Sequence, residues 1–234
     1  MSKMFMKNCK AWILDMMFPN RCPFCSEIIM WNKYVCDECR SKLVNACDVI
    51  CHKCGGAPCS CSNSNKFDSA YAAVFFDDEN VSDAIYDFKQ IGMSNLAEYT
   101  AEIVCKYIDE ADLVCSVPMG KNKLRSRGHN QADILAECIG ERLNIEFCKN
   151  LLYKIDTKEE QHYFNEEERA ERVKDLFYKS SADLTGKTII LCDDVMTTGS
   201  TLNRCAELLK EMGADKIVVC VCAVTRLEKS HRKG

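Results

Sequence analysis

Cysteine spacing is the first feature of this chain that could do chemistry. Cys22-Pro-Phe-Cys25 is followed, after ten residues, by Cys36-Asp-Glu-Cys39. Each CxxC turn can direct two sulfurs at one ion, and two such turns close a tetrahedral site at about 2.3 Å per bond. Cys51-His-Lys-Cys54 and Cys59-Ser-Cys61 make a second set, with Gly55-Gly56 to reverse the chain between them. His52 and Cys47 are near enough to stand in for a ligand, and spacing alone leaves a cross-braced pairing of the two sets open. A closed four-thiolate site offers substrate no coordination position, so zinc here is structural. It supplies folding free energy to a segment too short to build its own core. A redox reading of CxxC is disfavoured, because thioredoxin-like motifs do not recur in series.

The second feature is Asp193-Asp194-Val-Met-Thr197-Thr198-Gly199-Ser200-Thr201, placed after an apolar run and before a helical pattern. Free backbone N–H groups and the positive end of the dipole at a helix N-terminus attract phosphate. Gly199 lets the backbone approach where a side chain would block it, and four hydroxyls surround it. Two adjacent acids suit the hydroxyls of a ribose and help retain Mg²⁺ nearby. A sugar carrying a 5′-phosphate fits this set. A simple Ser/Thr helix cap with two surface acids leaves so dense a run unexplained. A P-loop reading fails, since the GKT at Gly186–Thr188 lies before the strand and Ser181 stands where the first glycine belongs. A receiver domain also clusters acids, but its acceptor strand does not run into such a loop.

These residues need a scaffold, and the periodicity predicts an α/β body. Tyr71–Phe76 reads as a strand, 81–90 and 94–109 as helices, Leu113–Val117 as a buried strand and 130–142 as a helix. Lys187–Cys192 is expected as a strand, 193–201 as a loop and 201–212 as a helix capped by Gly213, before a last buried strand, Ile217–Ala223. A helix between two continuous apolar strands implies parallel pairing, with ligands beyond the carboxyl ends. A polar stretch over roughly 154–175 reads as an exposed arm or a solvated helix face. Phe5, Cys9, Trp12, Ile13, Met16 and Met17 make an apolar helical stripe, expected to dock on the protein's own core rather than on a membrane.

Of the 234 residues, 28% are charged and 47% hydrophobic, which excludes collagenous, coiled-coil and disordered classes. No apolar run reaches the ~20 residues of a membrane span. Asp15 interrupts the N-terminal stretch and no cleavage site follows, so a cytoplasmic protein is expected, with no membrane insertion. Ten of the 18 cysteines fall in the first 61 residues. In a reducing compartment such clusters bind metal rather than form disulfides. The other eight lie in apolar runs and read as small buried hydrophobes. Residues 1–66 carry +4 and residues 67–234 carry −8. Two zinc ions on eight thiolates would cancel the N-terminal excess, so charge gives no support to a strongly nucleic-acid-binding surface. The expected division is 1–66, with a helix and a double zinc-binding region, and 67–234, the α/β domain.

At this point IILCDDVMTTGSTL resembles the phosphoribosyl pyrophosphate (PRPP) signature of type I phosphoribosyltransferases. The whole chain is similar to the ComF family of competence-associated proteins with a zinc-binding head. The supporting pieces are the double CxxC head, Phe88-Lys89-Gln90, Ser116-Val117-Pro118-Met119, Arg127-Gly128-His129-Asn130-Gln131, Gln161-His162, Arg169, Leu176-Phe177 and Thr225-Arg226. The resemblance implies a Rossmann-like parallel-sheet phosphoribosyltransferase fold behind a small zinc-ribbon-like domain. It implies that Asp193 and Asp194 hold the ribose hydroxyls and residues 197–201 the 5′-phosphate. The segment Val117–Gln131, with Lys121, Lys123, Arg125, Arg127 and Gly128, would form the pyrophosphate side, and Lys89 would join the PRPP site. Arg169, with Gln161, would close over the reacting centre. His129 replaces the family's usual Phe and Arg172 its usual Asn. Thr197 stands where purine-salvage members carry an acid, which disfavours that activity. The implied function is transfer of phosphoribosyl from PRPP with Mg²⁺, linked to DNA uptake. The alternative is a non-catalytic protein that keeps the PRPP-shaped site and handles single-stranded DNA, with DNA or a competence helicase as partner.

Overall fold

The computed structural model describes residues 19–59, 61, 65–156 and 176–226. The apolar N-terminal stripe, and Gln161, His162, Arg169 and Arg172 of the polar arm, lie outside these residues. Within them a cysteine-rich head carries a short helix, α1 (Asp37–Lys42), and a 3₁₀ turn at Ala46–Asp48. The body then runs β1 (Ser69–Phe75), α2 (Val81–Ile91), α3 (Asn95–Val104), β2 (Leu113–Ser116), α4 (Lys121–Arg127), α5 (Gln131–Leu143) and β3 (Glu146–Phe147). A small hairpin follows, β4 (Leu152–Lys154) and β5 (Phe177–Lys179), and then β6 (Thr188–Met196), α6 (Ser200–Glu211) and β7 (Lys216–Val224).

Five strands form one parallel sheet in the order β1-β7-β6-β2-β3, and β4 pairs antiparallel with β5 in a separate two-stranded sheet. β6 and β7 are continuous β-branched and apolar runs because both faces of a parallel sheet are covered. Side chains alternate between those faces. Ile190, Cys192, Val218 and Cys220 face α2, α3 and α5, whereas Ile189, Leu191, Val219 and Val221 face α6. α2 meets the first core through Val81, Ala84, Ile85 and Phe88, a spacing that makes one helical stripe. α6 meets the second through Leu202, Cys205, Leu208 and Leu209.

Some expected boundaries move. The β6 strand does not stop at Cys192. It continues to Met196, because β7 keeps pairing with it through Asp193↔Val221, Val195↔Ala223 and Met196↔Val224. The acid pair therefore lies on the strand and not in the loop. The helix expected over 94–109 ends at Val104 and tightens into a 3₁₀ turn, Cys105–Tyr107. Gly213, with φ +98°, sits one residue past the α6 cap at Met212. α4 and the β4–β5 hairpin were not foreseen as elements. Of the eight later cysteines, six are buried, while Cys105 and Cys148 are half-buried.

The head covers the open edge of the sheet. Ala70 on edge strand β1 donates its N–H to the His52 carbonyl at 2.7 Å, and Phe24 packs edge-on to Tyr99 of α3 at 6.0 Å between ring centroids. Edge strands need such cover to avoid pairing with other chains. Leu209 is wholly buried between α6 and the sheet. Leu209→Ala should lower unfolding stability by about 2–5 kcal/mol in a denaturant titration. A loss below ~1 kcal/mol would mean that α6 is not packed in this way.

Candidate functional site

In the head, Cys22, Cys25, Cys36 and Cys39 bring their sulfurs together in one group, and Cys51, Cys54, Cys59 and Cys61 do so in another. All ligand atoms within each group lie within 4.8 Å of one another. Measured Sγ–Sγ separations include 3.7 Å for Cys25–Cys36, 3.5 Å for Cys51–Cys61 and 3.3 Å for Cys59–Cys61. Those are close to the edge of a ZnS₄ tetrahedron, about 3.8 Å, and far beyond a disulfide bond of about 2.05 Å. Both groups therefore fit structural zinc, with ligands taken sequentially rather than cross-braced. The backbone N–H groups of Lys53 and Cys54 point at the Cys51 sulfur and bring its thiol down to about 6, favouring the thiolate a metal needs. Cys47 and His52 are not ligands. The buried Cys47 thiol donates to the Ala72 carbonyl at 3.1 Å, and His52 Nε2 bonds the Cys47 carbonyl at 2.7 Å.

In the body, the carboxyl end of β2 lies beside Cys192 of β6, just before the acids. The register of the two strands ends on Ser116↔Cys192, and Val117 N–H donates to the Cys192 carbonyl at 2.8 Å. The acids lie on β6 and the Thr-Thr-Gly-Ser-Thr turn follows it, while the Lys121–Arg127 segment follows β2. Gly199 has φ +72° and opens α6, and no side chain caps the helix. Thr198 Oγ1 and Ser200 Oγ lie 3.0 Å apart beside it. Thr197, Thr198 and Ser200 are exposed, and Thr201 is half-buried.

Both acids keep partial exposure, but strand alternation separates them. Asp193 turns toward α6, where its charge reaches the Cys205 thiol. Asp194 turns toward α2, where Lys89 Nζ lies 3.1 Å from Oδ2. Asp193 Oδ1 accepts the Asp194 N–H at 2.8 Å. Burial, with the neighbouring Asp194 charge, raises the Asp193 carboxyl to about 8; the Asp194 N–H and Lys89 only partly oppose this.

Lys89 is fixed from the far segment. Gln131, which is buried, donates to the Lys89 carbonyl at 3.0 Å and accepts from Arg127 Nη1 at 3.3 Å. His129 Nε2 lies 3.3 Å from the Phe88 carbonyl and rests against Gly92. Gly128, at φ +82°, terminates α4. Phe88-Lys89-Gln90 and Arg127–Gln131 thus meet, although about forty residues separate them in sequence. The role of Asn130 differs from Lys89's. Its Oδ1 accepts the Ala132 N–H to cap α5, and its Nδ2 bonds the Val117 carbonyl at 3.1 Å and Asp133 Oδ1 at 2.9 Å.

Sequence reasoning missed Asp133. It is buried, accepts from Ser116 Oγ at 2.6 Å and pairs with Lys149 Nζ at 2.6 Å. An acid between Ala132 and Leu135 on an otherwise inward face was the available signal. It also missed Asp156, whose Oδ2 accepts the Asn122 N–H at 3.0 Å and so ties the hairpin to the start of α4. Between them lies a cavity of about 710 Å³, lined by Pro118, Met119, Leu124, Leu152 and Tyr153 around this polar floor.

Two family models match separate parts of the chain. Residues 13–67 match the double zinc ribbon domain and residues 134–233 the phosphoribosyl transferase domain. The chain is thus a zinc-ribbon protein with a phosphoribosyltransferase-type α/β domain. It is 30% identical over 110 residues to competence protein F of Haemophilus influenzae, covering 46% of this chain and 48% of that protein. It is 30% identical over 112 residues to DNA utilization protein YhgH of Escherichia coli, covering 47% and 49%. With competence protein ComFC of Bacillus subtilis it shares 25% over 198 residues, covering 76% and 79%. The match spans about half the length of the first two relatives. The chain is thus similar to competence and DNA utilization proteins, over about half of its length in the first two cases and over 76% of it in the third.

Two measurements check the site. Metal analysis of protein purified without chelator should find two zinc ions per chain, and Cys59→Ser should lower that to one. Asp193→Asn should raise Tm. The native carboxyl is held protonated to about pH 8 while the unfolded one ionises near its ordinary value. Wild-type stability is therefore lost progressively as pH rises between those values. The advantage of the variant should widen from about pH 4 to about pH 8 and then level off. A pH-independent difference would contradict a reluctantly ionised Asp193.

Proposed function

We propose that the carboxyl edge of β2 and β6 binds PRPP together with Mg²⁺ and that the protein transfers its phosphoribosyl group to an acceptor. One observation carries this reading: an acid pair and a hydroxyl-rich helix N-terminus on one strand stand beside a cationic segment on its parallel neighbour. The turn at 197–201 takes the 5′-phosphate, through the first amides of α6 and the hydroxyls around Gly199. Asp193 and Asp194 accept hydrogen bonds from the ribose hydroxyls, Asp194 giving up part of its contact with Lys89. Lys121, Arg125 and Arg127 face the pyrophosphate side, with Lys89 between the two. During transfer the bond from ribose C1 to pyrophosphate breaks and a bond to the acceptor forms, through an oxocarbenium-like transition state. Cationic side chains stabilise charge developing on the leaving pyrophosphate. Mg²⁺ carried with PRPP would add to that neutralisation. Arg169 would complete the closure.

The names of the relatives, competence protein and DNA utilization protein, support a setting in DNA uptake; single-stranded DNA or a competence helicase is proposed as partner by the family resemblance alone. A PRPP-binding protein without transferase activity would serve the same setting. Pyrophosphate release from PRPP, measured with and without candidate acceptors, separates the two.

Asp194→Asn keeps the shape of the side chain but removes a charged acceptor worth roughly 1.5–3 kcal/mol per bond. Affinity for PRPP with Mg²⁺ should fall about tenfold to a hundredfold in calorimetry, with little change in Tm. Gly199→Val should do more damage. A Cβ there meets no protein atom closer than 3.8 Å, so the harm comes from φ +72° and from entry into the phosphate's space. If wild type does not bind PRPP, or if both variants bind as well as wild type, the site is something else.

A further inference from the structure

The second cysteine cluster lies directly behind the phosphate turn. Met196, the last residue of β6, is almost wholly buried, and its side chain lies between two glycines. On one side is Gly55, in the turn of the second cluster. A Cβ on Gly55 would stand 2.1 Å from Met196 Cε and 3.2 Å from the Ala70 Cβ. On the other is Gly199, whose Cβ would meet Met196 Sδ at 3.9 Å and Asn203 Nδ2 at 3.8 Å. The same turn is held a second time. Asn203, in the first turn of α6, accepts the Lys66 N–H at 2.8 Å where the head joins the body.

Gly55 is itself fixed by the cluster. Its N–H donates to the Cys51 carbonyl at 2.7 Å, Cys51 N–H donates to the Gly56 carbonyl at 3.0 Å, and φ at Gly55 is +69°. The ligands Cys51 and Cys54 thus set a turn whose glycine carries no side chain, and Met196 fills the space left. The contact passes through packed side chains with no slack. Through the Asn203–Lys66 bond and the Met196 contact, the phosphate turn is linked to a turn built on two of the cluster's cysteines.

We propose that Met196 and Asn203 are positioning residues that couple the Cys51/Cys54/Cys59/Cys61 cluster to the phosphate-binding turn, so that an ordered cluster presets that turn for its anion. This rests on the PRPP reading above and adds to it a regulatory link, since loss of metal from the head would weaken binding at a site in the body. Linkage requires reciprocity: if the closed cluster strengthens PRPP binding, PRPP must strengthen zinc retention by the same factor.

The test uses the full zinc-loaded chain, PRPP with Mg²⁺, and Met196→Ala/Asn203→Ala, with Met196→Leu as the conservative replacement. Wild type should bind PRPP at least about fivefold more tightly than the double variant while both carry two zinc ions. Met196→Leu, which keeps the volume of the wedge, should recover most of the loss. Competitive zinc titration, read against Cys59→Ser, should show PRPP tightening zinc in the second cluster of wild type and not in the double variant. The proposal is overturned if wild type binds PRPP and the double variant binds it equally well, or if PRPP leaves zinc affinity of wild type unchanged. Failure of wild type to bind PRPP would instead remove the underlying reading, and the coupling with it. Should the double variant not fold, Asn203→Ala alone, which removes one exposed hydrogen bond, carries the same comparisons.

Discussion

The parallel pairing of β2 with β6 is the contact on which the site depends. Four residue pairs, from Leu113↔Ile189 to Ser116↔Cys192, set the carboxyl end of β2 beside Cys192, immediately before the acids of β6. From that edge one strand delivers acids and a helix N-terminus, and the other delivers a basic segment. Slipping the register would separate the two, and both flanking cores would lose their inward residues. The polar group of Ser116, Asn130 and Asp133 sits just beyond β2 and fastens α5 to its end. Such a network is costly to bury unless its bonds are made. Here it holds the strand end that starts the basic segment.

Electrostatics at the edge is not arranged for stability. Two carboxylates on consecutive residues repel one another, and burial holds Asp193 far above its ordinary range. Lys89 relieves only part of this. Natural chains accept such local losses at functional sites.

The head does more than bind metal. It closes the β1 edge, shares a core with α3 and reaches Met196 behind the phosphate turn. A segment of this size has little apolar area of its own, so its order comes from sulfur–metal bonds and from the face it lies on. This explains why Cys47, outside both ligand sets, is buried against Ala72 as part of the joint.

Much was legible in the residues themselves. Ligand identity followed from CxxC spacing, because chelation is local and a few residues define it. The last βαβ unit followed from apolar periodicity, including the Gly199 turn before its helix. Other features were decided only by the tertiary structure. β6 runs through Asp193 to Met196 because β7 offers partners that far, which no local pattern encodes. Lys89 meets Asp194, and Gln131 meets Lys89, because α2 and α5 pack on the same face of one sheet. Whether the cysteines pair sequentially or crosswise, and that Gly55 lies against Met196, depend on how the head docks. Local chemistry is written in spacing, whereas contacts between distant segments come from burying two faces of one sheet at once.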